Sequence, residues 1–127
     1  MSVYIGFTTD KGLIIDLDQI KLEKVTRIAK KLNTQYNLNG YLIMESSPEH
    51  YHLIFNEYLN WKDITKILFN FNKNSVIGWA INQMRRGDLT LRISTNRGSK
   101  PKIITQEGAS DRLINDYLTI YDLFKEY

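Results

Sequence analysis

Apolar positions recur along this chain with spacings that predict a succession of strands and helices. β-Branched and aromatic residues dominate segment 2–9, and Asp10-Lys11-Gly12 follows as a turn, so a first strand is predicted there. From 16 to 37 the apolar residues follow helical spacing, and most of the basic residues fall on the opposite side. We therefore expect a first helix that ends before Gly40.

Two apolar segments after this helix, YLIMES and HYHLIFNEY, predict a hairpin joined by the turn 46–49. Because strand residues point alternately to opposite faces, a four-residue turn would place Glu45 directly opposite His50, with His52 one step along the same face. The other face would then be wholly apolar and would pack against the helices. Its members would be Leu42, Met44, Tyr51, Leu53 and Phe55.

The second half of the chain predicts two further helices and two further strands. Asn60 is placed as the N-cap of a helix over 60–72. The segments 75–84 and 88–94 have the composition of strands. A loop over 95–109 leads to a last helix, which Ser110 would cap.

The resulting order, β-α-β-β-α-β-β-α, predicts the α+β class. We expect an antiparallel five-stranded sheet with helices on one face and the C-terminal helix over the other, as in ferredoxin-like and RRM-like folds. A chain of 127 residues, 43% of them hydrophobic, suits a single domain over 1–127.

The amino-acid composition excludes some kinds of site chemistry but does not identify the binding partner. The chain has no cysteine, which excludes disulfides and thiolate metal sites. A net charge of +3 is compatible with a polyanionic partner but does not establish one. Segments long enough to span a membrane are missing from the sequence, so we expect a cytoplasmic protein without membrane contact.

Both histidines of the chain, His50 and His52, lie in the sequence EHYHLIF. Two imidazoles and the Glu45 carboxylate on one sheet face could hold a divalent ion with open coordination positions, and Mg²⁺ or Mn²⁺ is the expected occupant. The alternative is that the imidazoles only form hydrogen bonds with neighbours or water. The acidic residue placed opposite the pair favours the metal site.

The last predicted helix carries two tyrosines, Tyr117 and Tyr121, on one apolar face. If this helix covers the polar face of the sheet, a tyrosine hydroxyl could approach the metal as a nucleophile. Tyr117 lies nearer the middle of the helix, so we prefer it and keep Tyr121 as the alternate. The other interpretation is that both are core aromatics.

This combination resembles the HUH superfamily of single-strand DNA nucleases. The resembling parts are the His-hydrophobic-His strand, the acidic Glu45, a tyrosine on the C-terminal helix, and Phe7 and Thr8 in GFTT, which is similar to the first Rep motif. The chain looks most like the small replication initiators of archaeal rod-shaped viruses and related plasmids.

The resemblance implies a metal-dependent endonuclease that nicks and rejoins single-stranded DNA to start replication of the rolling-circle type. The tyrosine would form a 5′-phosphotyrosine intermediate and leave a free 3′-OH. Single-stranded DNA would be the partner, with a homodimer and host or viral replication proteins as further possibilities, and a viral protein would act in the host cytoplasm. The predicted DNA-binding residues are Arg85, Arg86, Arg92, Arg97, Lys100 and Lys102.

A second function of a different class fits the same elements. A ferredoxin-like module could hold single-stranded nucleic acid on the same sheet face without cutting it. A covalent protein–DNA adduct would distinguish the enzyme from the binding module.

Overall fold

A computed structural model describes residues 5–94 and 100–123 of the chain. Within those residues the chain forms six strands and four helices. The strands are β1 Ile5–Thr9, β2 Gly12–Asp18, β3 Gly40–Ser47, β4 His50–Tyr58, β5 Leu89–Ser94 and β6 Lys102–Gly108. The helices are α1 Leu22–Tyr36, α2 Trp61–Phe69, α3 Asn74–Met84 and α4 Leu113–Leu123.

The strands form two antiparallel sheets in the described part of the chain. One contains β1 and β5, and the other has the order β2-β4-β3-β6. The α+β class is therefore confirmed, and the prediction of a five-stranded sheet is wrong. Within the described residues no helix is long and apolar enough to cross a membrane.

Three segments account for the difference in the sheet. The segment 75–84, predicted as a strand, lies in α3, where Val76 and Ala80 are buried one helical turn apart. The segment predicted as the start of the first helix belongs to β2, and the predicted loop contains β6. The sequence did not predict β2, because its apolar residues Leu13, Ile14, Ile15 and Leu17 are buried on both faces and do not alternate with polar residues as in a half-exposed strand.

The turn between β3 and β4 is tighter than predicted. Ser47 pairs with His50, so the connection contains only Pro48 and Glu49, and Glu49 has a φ of 63°. Ser46 is an extra residue on β3, because the register shifts between Glu45 and Ser47. The predicted four-residue turn over 46–49 is therefore wrong, and the pairing differs from the expected one by one residue.

This one-residue difference exchanges the faces of β3. Glu45 pairs with Tyr51 and not with His50, and the Tyr51 hydroxyl lies 3.4 Å from Glu45 Oε2. Met44 pairs with His52. Glu45 thus lies on the opposite face from the histidines, and Leu42 and Met44 lie on the histidine face, because a slip of one residue reverses every side chain of a strand.

Helix α4 lies over the histidine face of the four-stranded sheet. Asn56, which shares that face of β4 with His52, is fully buried, and its Oδ1 accepts hydrogen bonds from Arg112 N at 3.0 Å and Ile114 N at 3.3 Å. These N–H groups belong to the start of α4, where a helix leaves its donors unpaired. The start of α4 is thus held by a side chain of the sheet, a contact that the sequence analysis missed.

The helix also sits close to the sheet at Gly12. A Cβ atom built on Gly12 would lie 2.5 Å from Leu113 Cδ2, well inside van der Waals contact. Leu113, Ile114 and Tyr117 are the buried residues of α4. A residue without a side chain in β2 therefore allows α4 to pack on this face.

Substitution of Gly40 tests the close approach of the backbones at the paired ends of β3 and β6. Gly40 has a φ of 130°, and an added Cβ would lie 2.5 Å from the Ala109 carbonyl oxygen. Gly40→Ala should therefore lower the free energy of unfolding by roughly 2 kcal/mol or more. Gly78→Ala is the matched control, because nothing lies within 4 Å of its added Cβ and it lies inside α3. It should raise stability by about 1 kcal/mol. Urea denaturation measures both, and equal effects would contradict the description.

Candidate active site

Pairing of β2 with β4 sets two aspartates against the two histidines. Asp16 pairs with His52 and Asp18 pairs with His50. Because paired residues of an antiparallel sheet point to the same face, all four side chains lie on the face over which α4 packs. We call these four residues the Asp–His cluster.

The Asp–His cluster runs from an open end to a buried end. His50 Nδ1 lies 2.8 Å from Asp18 Oδ1, and these side chains are 40% and 47% exposed. His52 Nε2 lies 3.8 Å from Asp16 Oδ1, and the His52 side chain is only 6% exposed. The open end could receive a large substrate, while the buried end holds its groups away from water.

Burial changes the acid–base properties of the inner pair. The pKa of Asp16 is raised to about 6, mainly by burial and then by the neighbouring charge of Asp18. The pKa of His52 is lowered to about 4 by burial, while Asp18 partly opposes that shift and Arg92 adds to it. At neutral pH His52 is therefore neutral and Asp16 is mostly ionised, which are the states in which these groups bind metal ions.

Two buried side-chain atoms lack a hydrogen-bond partner in the described part of the chain. They are His52 Nδ1 and the Tyr117 hydroxyl oxygen. Leaving such a group unpaired costs roughly 1–3 kcal/mol, so an unpaired group in a folded protein calls for a reason, such as a catalytic role or an ion.

The tyrosines of α4 stack on each other. Their ring centroids are 6.0 Å apart with an interplanar angle of 22°. Tyr117 is fully buried, and burial, followed by the nearby Tyr121, raises its pKa above the ordinary value. Tyr121 is half-buried, and its hydroxyl donates to the Pro101 carbonyl oxygen at 2.6 Å.

Two predicted residues near the start of the chain also lie beside α4. Phe7 packs edge-on against Tyr117, with ring centroids 5.4 Å apart. Thr8 is exposed, and its hydroxyl lies 2.7 Å from that of Thr90 on the paired strand β5. Phe7 therefore supports the buried tyrosine, and Thr8 faces solvent.

The predicted DNA-binding residues are spread over several elements. Arg92 is exposed on β5 and acts electrostatically on both Asp16 and His52. The Lys100 amine donates to the Tyr121 carbonyl oxygen at 3.0 Å and lies 4.1 Å from the centroid of the Tyr121 ring. These two bring positive charge to the Asp–His cluster and to α4.

Three of the other predicted DNA-binding residues lie elsewhere. Arg86 is bound to Asp88 at 3.2 Å and to Gln83 at 2.8 Å in the connection before β5, with exposed Arg85 beside it at the end of α3. Lys102 is exposed at the start of the edge strand β6. Arg97 lies outside the described residues. Arg85, Arg86 and Lys102 do not form one surface with the cluster.

The acidic side chains that lie beside the two histidines are not the one that the sequence predicted as a metal ligand. Glu45 lies on the other face, and the two aspartates of β2 take its place beside the histidines. No group of three or more acidic or imidazole side chains within residues 5–94 and 100–123 is arranged to hold a metal ion as it stands. The chemistry of the cluster fits a divalent ion, since imidazole and carboxylate are suitable ligands and one imidazole nitrogen is unpaired.

Asp16 and Asp18 are the functional candidates that sequence reasoning missed. Their Asp-x-Asp spacing matches the His-x-His spacing of the strand that pairs with them. Charged residues inside an otherwise apolar strand were the available signal.

No protein-family model matches the chain, and neither a curated protein nor a solved structure was found that matches it. The relation to the HUH nucleases therefore rests on the residues of this chain and stays a prediction.

His52 should give folding a measurable pH dependence in the absence of metal. Its pKa is about 4 in the folded protein and near 6.5 in the unfolded chain. Its contribution to stability is therefore fully present above about pH 6.5 and is lost as the pH falls towards 4, because the unfolded chain takes up the proton first. Asp16 works in the opposite direction, since its pKa of about 6 is above the ordinary value and its protonation favours the folded state.

Between pH 7 and pH 4, the free energy of unfolding should fall by roughly 2–3 kcal/mol less in His52→Gln than in the unsubstituted protein. Urea denaturation of both proteins in EDTA at stepped pH measures the difference. Parallel pH profiles would contradict a lowered His52 pKa, and NMR titration of the imidazole would report it directly.

Proposed function

We propose that this protein is a metal-dependent endonuclease that nicks and rejoins single-stranded DNA through a tyrosine nucleophile. The observation that carries the proposal is the pair of unpaired buried atoms, His52 Nδ1 and the Tyr117 hydroxyl. Resemblance to HUH nucleases gives these two residues the roles of metal ligand and nucleophile. Two independent criteria, the motif and the unpaired polar atoms, therefore point to the same residues.

The ligands in this proposal are His50, His52 and Asp16, with Asp18 orienting His50 through its hydrogen bond of 2.8 Å. A bound Mg²⁺ or Mn²⁺ would supply Lewis-acid stabilisation of the negative charge that grows on the phosphate oxygens. Neutral His52 and ionised Asp16 have the protonation states that such binding requires. Binding would require these side chains to rotate, because they are not arranged to hold an ion as they stand.

Tyr117 would lose its phenolic proton, and its oxygen would bond to phosphorus as the bond to the 3′ oxygen breaks. The 3′ oxygen takes up a proton and leaves as a 3′-OH, and the reverse attack by a 3′-OH rejoins the strand. Because Tyr117 is fully buried and its pKa is raised, the reaction requires α4 to shift and expose the hydroxyl. Tyr121, half-buried one turn later, is the alternate nucleophile.

Arg92 and Lys100 are the basic residues best placed to hold the strand. Arg92 acts on the inner pair of the cluster, and Lys100 contacts the helix that carries the tyrosines. Both would contact phosphates next to the scissile one. Replication initiation, a homodimer and host or viral replication proteins are the corresponding biological setting in this proposal.

A non-catalytic module that binds single-stranded nucleic acid is the second candidate. The burial of Tyr117 favours it, because a nucleophile closed off from solvent cannot reach a phosphodiester without movement of α4. In that case the Asp–His cluster would have a structural role only.

Measurements of metal affinity distinguish Asp16 from Glu45 as the acidic metal ligand. Asp16→Asn should weaken Mn²⁺ binding about tenfold or more, because it removes a charged ligand beside His52. Glu45→Gln is the matched control and should leave the affinity unchanged, since Glu45 lies on the other face. Isothermal titration of the purified protein at pH 7.5 measures both. Equal losses in the two variants would contradict the assignment of the ligands.

Covalent adduct formation tests the enzyme itself. With Mn²⁺ and a labelled random single-stranded oligonucleotide pool, the protein should form an adduct that survives denaturing electrophoresis. Tyr117→Phe and His52→Ala should abolish the adduct, because they remove the nucleophile and a ligand. Tyr51→Phe is the control, since Tyr51 lies on the other face of β4.

Two results would change the proposal. Adduct loss in Tyr121→Phe with retention in Tyr117→Phe would reassign the nucleophile to Tyr121. Retained oligonucleotide binding without any adduct would favour the binding module over the enzyme.

A further inference from the structure

A cleft of about 380 Å³ lies between α1 and the connection from α2 to α3. It shares no residue with the Asp–His cluster or with α4, and its wall on one side is a stripe of α1. Ile28, Leu32 and Tyr36 form that stripe at spacings of four residues, so they line one side of the helix. A volume of this size falls within the range of small-molecule sites.

The charge around the cleft is of one sign. Lys24 and Lys31 of α1 line one side and Lys73 lines the other, and no acidic side chain is among the lining residues, all of which are described. Lys73 is also the N-cap residue of α3, and no side chain caps that helix start. Three ammonium groups around the cleft therefore make this a favourable place for an anion.

Aromatic and amide groups complete the lining. Tyr36 and Phe71 supply two half-buried aromatic rings on the α1 side and the loop side of the cleft. Gln35, Asn70 and Asn72 add amide donors and acceptors at the rim. An aromatic surface, amides and surrounding lysines are the groups that bind a base, its polar edge and its phosphate.

We propose that this cleft binds a nucleoside phosphate, either as a free nucleotide or as one unit of a single strand. The base would stack on Tyr36 or Phe71, the amides would contact its edge, and the lysines would hold the phosphate. This inference does not depend on the proposed function, because the cleft lies on other elements and needs neither the metal nor a tyrosine nucleophile.

The test measures binding of dAMP to the full chain by isothermal titration. Lys24→Ala/Lys31→Ala should weaken dAMP binding about tenfold, since two charge-assisted contacts are lost. Lys21→Ala/Lys30→Ala is the matched control, which removes the same charge from exposed positions of α1 and its N-cap outside the cleft. It should change the affinity less than twofold.

A second pair of variants tests the stacking surface. Tyr36→Leu should weaken dAMP binding roughly fivefold or more, because it removes an aromatic face. Tyr36→Phe should retain binding, because it keeps the ring and loses only a hydroxyl that accepts a hydrogen bond from Gln35. Circular dichroism confirms that each variant is folded.

Competition with the oligonucleotide d(A)8 distinguishes the two sources of the ligand. Displacement of dAMP by lower concentrations of d(A)8 would identify a unit of a single strand, and a lack of displacement would identify a free nucleotide. Both results support the site. The proposal would be overturned by no dAMP binding at 10 mM, or by equal losses of dAMP affinity in the two lysine pairs. It would also be overturned if inorganic pyrophosphate bound as tightly as dAMP. The same holds if an oligoglutamate peptide bound through Lys24 and Lys31 where dAMP did not.

Discussion

The antiparallel pairing of β2 with β4 is the interaction on which the candidate site depends. Its register places an aspartate beside each histidine, and both pairs on the face under α4. A shift of one residue would turn these side chains to the other face of the sheet. The aliphatic residues beside them, Ile14, Leu53 and Ile54, are fully buried. They hold that register, because a slip would move the charged side chains into the apolar core of the other face.

The second constraint is the attachment of α4 to the sheet. Asn56 binds the first backbone N–H groups of the helix, and its own Nδ2 donates to Asp111 Oδ1 at 3.1 Å. At the other end Tyr121 is bound to the Pro101 carbonyl oxygen. Tyr117 lies between these two attachments, and its side chain is closed off from solvent. Access to its hydroxyl is therefore governed by how firmly the two ends are held.

Sequence patterns predicted the local elements of the molecule better than the pairing and register of its strands. The hairpin strands, the last helix and the Asn60 cap are confirmed, and Asn60 Oδ1 accepts from Asp63 N at 2.8 Å. These depend on residues close together in the chain. The face assignment of Glu45 failed because one bulged residue, Ser46, reverses the alternation, and a bulge leaves little trace in composition.

The missed parts of the site depend on contacts between distant segments. Asp16 joins His52 only through strand pairing, and Asn56 caps a helix whose start lies more than 50 residues later. The segment forming α3 shows another limit, since a short apolar run with β-branched residues fits a strand or a buried helix equally well. His52 and Tyr117 were singled out from the spacing of the histidines and the position of the tyrosine in the last helix, and in the structure each has one buried polar atom without a partner among the described residues.

The outer side of β6 has a consequence for the protein at high concentration. Among the described strands β6 is the last of its sheet, and Ile103 and Ile104 are 52% and 37% exposed on it. Its outward backbone groups are a template on which a strand of another molecule could add. Lys102 and Glu107 on the same strand oppose such growth by keeping charge along the edge. Solubility should thus depend on a few charged side chains far from the chemistry, and neutralising them would favour aggregation before it affected folding.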